Sequence, residues 1–209
     1  MMPPDWTVLL IGGPPGSGKT VAAAGVARIL GVSHLLVDDL RLAIQRVTTP
    51  AQRPAFRALQ MSDADASPSP EDRCEWMWRA GEAIAPAIDS VVRHHIEINL
   101  PAVIEGDGVL PAFAAHLVAD PSLVGKARAA MLSEPNERVL FDHLHTRAGR
   151  DDDDPVRMMT RARGNWLFGA RVDAEARRYG LPVVPSRPLE TLVERVLRAA
   201  ALAPAAAVP

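Results

Sequence analysis

Cysteine and lysine are almost missing from this chain. One cysteine, Cys74, occurs in 209 residues. No intramolecular disulfide can form, and a cysteine-based zinc site is excluded. Of the 23 basic residues only Lys19 and Lys126 are lysines, so 21 are arginine. A lysine is therefore an informative residue here. Neither sign of charge is in clear excess: the net charge is −2, which argues against a broad basic face for nucleic acid. Long apolar runs are also absent. None reaches the roughly 18 uncharged residues that a membrane-spanning helix needs. The first such run, Thr7 to Ile11, is too short for a signal peptide and has no basic residue before it. The expected location is the cytoplasm.

What is present is an ordinary globular mixture, 48% hydrophobic and 23% charged, in a chain long enough to bury a core without staples. The apolar run Thr7–Ile11 ends in glycines and reads as a strand buried on both faces. An Ala-rich stretch from Thr20 to Leu30 has helical spacing and stops at Gly31, a C-cap residue. Further short strands are expected at 34–37, 102–105, 126–132 and 181–184. Helices are expected at 40–47, 71–95, 135–147, 156–179 and 189–202. Pro86 should kink or divide the second of these. Strands alternating with helices imply an α/β fold with a parallel sheet and right-handed crossovers. The alternation leaves the strand order open.

The sharpest signal is Gly13-Pro14-Pro15-Gly16-Ser17-Gly18-Lys19-Thr20, which matches G-x-x-x-x-G-K-[ST] between a buried strand and a helix. Glycines let backbone N–H groups turn inward around an anion, and the helix N-terminus adds its positive end. Lys19 would reach the β- and γ-phosphates, and the Thr20 hydroxyl would ligate Mg²⁺. A nucleoside triphosphate is the expected ligand. Asp38-Asp39-Leu40-Arg41 follows the second strand, at the edge where α/β sheets bind ligands. Asp38 could orient an acceptor hydroxyl and take its proton. Arg41 could hold an anionic group of that acceptor, with Asp39 beside it. Both aspartates would also suit a helix cap. Glu105 and Asp107 flank Gly106 at the third strand's end, where a carboxylate could hold Mg²⁺ or bind a substrate hydroxyl.

These segments resemble the P-loop small-molecule and polynucleotide kinases, a superfamily that includes shikimate, gluconate and adenylate kinases. The D-D-x-R element is similar to that of polynucleotide 5′-kinases. Ile104-Glu-Gly-Asp-Gly-Val-Leu-Pro111 is similar to a segment of 2-phosphoglycerate-kinase-like proteins. The resemblance is specific only at these three places. It implies a P-loop NTPase three-layer fold with five parallel strands in the order 2-3-1-4-5 and a helical lid. A plain Walker B aspartate is absent, so Glu105 would serve in its place. The chain then reads as one kinase domain over 1–209, with an acceptor-binding insertion at about 47–101 and a lid at about 133–163.

The lid interval carries Arg138, Arg147, Arg150, Arg157, Arg161 and Arg163. In such kinases lid arginines stabilise the transferring phosphoryl group; Arg147 and Arg150 border the turn at Gly149. Arg187, in the loop after the last strand, would sit beside the adenine. His143 and His145 lack a third ligand and are not expected to hold a metal. Trp76, Trp78 and Trp166 are expected to pack in the interior. The leading expectation is an ATP- and Mg²⁺-dependent phosphotransferase acting on a small hydroxylated acceptor, with no nucleic-acid or membrane partner. A polynucleotide 5′-kinase and a nucleotide-binding switch without an acceptor are the alternatives.

Overall fold

The computed structural model describes residues 5–52, 54–55, 68–147 and 154–202. Its centre is β1 (Val8–Gly12), whose five residues are all buried. β1 pairs in parallel with β3 (Ala102–Glu105) on one side and β4 (Ala127–Ser133) on the other. β2 (Ser33–Leu36) adds to β3 and β5 (Val183–Pro185) to β4, again parallel. The order is β2-β3-β1-β4-β5. The uninterrupted apolar run of β1 follows from this position, since a central parallel strand meets side chains on both faces.

Alternate residues of the sheet feed two cores. On one face Leu10, Ile104 and Met131 pack with Ile84 and Ile88 of α3 (Pro70–Glu97), Leu117 of α4 (Pro111–Ala119) and Phe168 of α6 (Pro155–Arg178). On the other, Leu9, Ile11 and Leu132 pack with Ala22, Ala23 and Val26 of α1 (Lys19–Leu30) and with Val196 of α7 (Leu192–Leu202). Each fully buried Leu or Ile adds about 1.5–3 kcal/mol, so the two-sided sheet dominates stability. Two further helices, α2 (Val37–Val47) and α5 (Glu137–Arg147), lie towards the C-terminal ends of the strands. No described helix is long and apolar enough to cross a membrane.

Four details differ from the sequence-based expectation. α2 starts at Val37, and its N-cap residue Leu36 offers no side-chain cap. Asp38 and Asp39 therefore lie inside the first turn, where they favour the positive helix end without capping it. α3 runs undivided through Pro86. Ile84 and Ile88, on either side of the proline, are anchored in the core, and this burial offsets the lost backbone hydrogen bond. α4 has no counterpart among the helices expected from the sequence. Its signals are Pro111 at the first turn and the buried run Ala114, Ala115, Leu117 and Val118. The last expected helix is a 3-10 turn, Leu189–Thr191, followed by α7.

Candidate active site

The turn after β1 has the geometry of an anion cradle. Gly13, Gly16 and Gly18 have φ of 135°, 87° and 86°, values that side-chain-bearing residues seldom adopt. A Cβ on Gly13 would lie 2.5 Å from the Leu132 carbonyl oxygen, so the loop hugs the end of β4. Ser17 N–H donates to the Pro14 carbonyl at 3.2 Å. The Ser17 hydroxyl is buried without a hydrogen-bond partner among the described residues. α1 begins at Lys19, and its unsatisfied N–H groups face the same turn. Pro14 and Pro15 complete the loop; Pro15 lines the adjoining cleft.

Lys19 is 6% exposed. Its Nζ donates to the Pro14 carbonyl at 2.9 Å and pairs with Asp107 Oδ1 at 2.5 Å. Thr20 Oγ1 donates to Glu105 Oε1 at 2.8 Å. Burial pushes the Glu105 carboxyl above its ordinary range, opposed by the Thr20 hydrogen bond and the Lys19 charge. His34 Nε2 stands 3.9 Å from the same carboxylate oxygen. Thr20 and Glu105 together offer two hard oxygen ligands, which suits Mg²⁺ when phosphate and water supply the others. No group of three or more His, Cys, Asp or Glu among the described residues could hold a metal unaided.

These groups border a cleft of about 580 Å³, also lined by Asp38, His143, Met158 and Arg161. Asp38 Oδ1 accepts from Arg41 Nε at 3.2 Å and Nη2 at 3.1 Å. Asp39 is exposed. A second, smaller cavity of about 100 Å³ lies beside the cleft and is lined by Arg41. Asp39 lines neither of these two cavities, because one helical position turns its side chain away from that of Asp38. Gly106 and Gly108 let α2 and α3 close on the turn after β3. Added Cβ atoms would lie 2.6 Å from Val37 Cβ and Ile84 Cγ2 respectively.

α5 and α6 cover the loop. A Cβ on Gly16 would come within 3.2 Å of Leu140 and His143, and one on Gly169 within 2.8 Å of Pro14. Among the described lid arginines Arg161 borders the cleft. Arg138 pairs with Asp142, and Arg163 pairs with Glu137 and lies over Trp166. Arg150 and the Arg147 side chain lie outside the described residues. Arg187 pairs with Glu134 at 3.4 Å and lines neither cavity. Glu134 was missed in the sequence. It is buried and accepts from Ser186 Oγ at 2.5 Å and from Asn136 N–H at 3.1 Å, which ties the loop after β5 to the end of β4. Its signal was a carboxylate one residue beyond a buried strand.

His143 lines the cleft, and His145 stacks on Phe141. Trp78 is buried, meets Phe168 edge-on and carries Arg171 over its ring. Trp166 donates to the Pro135 carbonyl. Neither these two nor Trp76 lines the two cavities.

The fold and the loop together define a P-loop three-layer α/β protein. Among solved structures, the chain is similar to a gluconokinase from Sinorhizobium meliloti 1021, with a TM-score of 0.52 and 18% identity over 97% of this chain and 95% of that one. It is also similar to a sugar kinase from Janibacter sp. HTCC2649, with a TM-score of 0.49 and 21% identity over 98% and 99%. The first likeness shows a shared fold. No family model and no curated protein matches the chain.

Proposed function

We propose that this chain is an ATP- and Mg²⁺-dependent phosphotransferase that moves a γ-phosphate to a hydroxyl of a small-molecule acceptor. The observation that carries the reading is the convergence of Lys19, the Thr20–Glu105 pair, Asp38 and Asp107 on one cleft beside a positive-φ glycine loop. The N–H groups of residues 13–20 and the Ser17 hydroxyl would bind the phosphates. Lys19 would exchange Asp107 for the β- and γ-oxygens. Thr20 and Glu105 would hold Mg²⁺, which when bound would neutralise charge on the phosphate oxygens.

Asp38 takes the proton of the acceptor hydroxyl. The acceptor oxygen bonds to the γ-phosphorus as the bond to the bridging β–γ oxygen breaks, and ADP leaves with that electron pair. Arg161, with Arg147 and Arg150 of the lid at about 133–163, stabilises charge on the group in transit. Arg187 flanks the base, and the insertion at about 47–101 contributes the acceptor's walls.

The Asp38–Arg41 pair also fits the D-D-x-R element of a polynucleotide 5′-kinase, so the test includes that reading. ADP release is measured with a panel of sugar acids, aminoglycosides, nucleosides and oligonucleotides. Stimulation by a small hydroxylated compound is expected. Stimulation by oligonucleotides alone would transfer the assignment to a polynucleotide kinase. Slow turnover indifferent to every acceptor would point to a regulatory ATPase.

A further inference from the structure

The smaller cavity bears on the identity of the acceptor. It shares Pro15 and Asp107 with the large cleft, so a molecule seated in it reaches the phosphate end of the site. Much of its lining is apolar, made by Val37, Met77, Ala80, Gly81 and Ile84. A polyhydroxylated ring pressed on that lining would bury hydroxyls without partners, which is costly. The lining suits a short carbon skeleton.

Two arginines from different helices, Arg41 of α2 and Arg73 of α3, also line the cavity. Both are held in place. Arg41 donates to Asp38 Oδ1 and, at 3.3 Å, to Gln45 Oε1, a side chain that is itself buried. Arg73 Nε donates at 3.0 Å to Oδ1 of Asn165, which is fully buried. The Arg73 stem lies against Gly164, where an added Cβ would come within 2.7 Å of Arg73 Cδ. The stem thus occupies space that α6 leaves open only because residue 164 is glycine. Arginines fixed in this way lose little freedom on meeting a ligand, and their planar forks match carboxylate or phosphate oxygens. The Asp38–Arg41 pair is exposed on its aspartate side and is therefore a weak competitor for an incoming anion.

We infer that the acceptor is a compact hydroxylated anion, carrying a carboxylate or a phosphate, whose charged group lies between Arg41 and Arg73. This rests on the phosphotransferase reading, but the pocket can be tested apart from it. The full chain is titrated calorimetrically with glycerate, glycerol 3-phosphate and uncharged glycerol, and with gluconate against glucitol as a longer pair. Each titration is run with and without a nonhydrolysable ATP analogue.

At least one anion should bind about tenfold or more tightly than its uncharged counterpart, the size expected for charge-assisted hydrogen bonds. Glycerate against glycerol 3-phosphate tells carboxylate from phosphate. Arg73→Met should erase the preference while analogue affinity stays as it was, which also shows that the variant is folded. Arg73→Lys should restore part of it. Uncharged probes binding as tightly as the anions, anion affinity unchanged in Arg73→Met, or no anion binding at all would each overturn the inference. Failure of the ATP analogue to bind would overturn the phosphotransferase reading instead, and an anion preference seen in that case would still uphold the pocket.

Discussion

Lys19 is held between a carbonyl oxygen of its own loop and the Asp107 carboxylate, at a point where an incoming phosphate would displace both. Lys19→Ala removes a charge-assisted contact from a largely desolvated position. ATP affinity should fall and phosphate transfer should vanish, as read by calorimetry and ADP release. Near-full activity in the variant would refute the P-loop role. Asp38 makes a sharper case, because Asn keeps its volume and its place in the first turn of α2 while losing the proton acceptor. For Asp38→Asn, kcat should fall by about 10²-fold or more, with little change in ATP affinity. Asp39→Asn is the control and should be milder, since Asp39 borders neither cavity. The reverse ranking would move the base by one residue.

Helix α6 reaches the site through a glycine. Gly169 is where Pro14 of the phosphate loop packs, and a Cβ there would stand 2.8 Å from the Pro14 ring. Gly169→Ala sets two effects against each other. Helix propensity favours Ala by about 1 kcal/mol, whereas overpacking against a stiff ring costs typically about 1–3 kcal/mol. The balance should be a modest loss of stability in denaturant melts, together with a higher KM for ATP as the loop is pushed aside. A more stable variant with unchanged KM would show that α6 does not seat the loop. The same packing explains why α6 was legible only as an amphipathic helix. Its partner residue lies 155 positions away in the chain, and nothing near Gly169 in the sequence announces Pro14.

The molecule as a whole is tied together at the far end of α3. Arg93 bonds Asp89 and, at 2.7 Å, Asp120 beyond α4. The Ser122 hydroxyl, Arg93 and the Ser122 N–H hold the Asp120 carboxyl down to about 2, below its ordinary value of 3.8. A depressed carboxylate stabilises the fold above its unfolded pKa, and that contribution disappears as pH falls through the folded value. Thermal melts should therefore show Asp120 contributing fully above pH 3.8, with the loss spread from there down to about 2. Asp120→Asn should be less stable at neutral pH and should show a shallower acid decline across that window. Identical acid slopes in the two proteins would mean the Arg93–Asp120 link does not contribute to stability.

Local chemistry determined much of this protein. The glycine loop, the strand before it and the helix after it are a contiguous unit whose backbone demands are met by residues 8–31, so they are readable in order. The parallel α/β class follows from alternating short apolar runs and amphipathic stretches, because each pattern has its own period. Other features were decided only in three dimensions. α4 is hydrophobic nearly all round and lacks the polar face that would mark its period. The continuity of α3 through Pro86 depends on Ile84 and Ile88 meeting the sheet. The Glu134–Ser186–Arg187 link joins two strand ends that sheet order brings together. The pairing of Arg41 with Arg73 around one cavity required α2 and α3 to converge on the turn after β3. In each case the energy lies in contacts between residues far apart in the chain, and such contacts leave no local pattern to read.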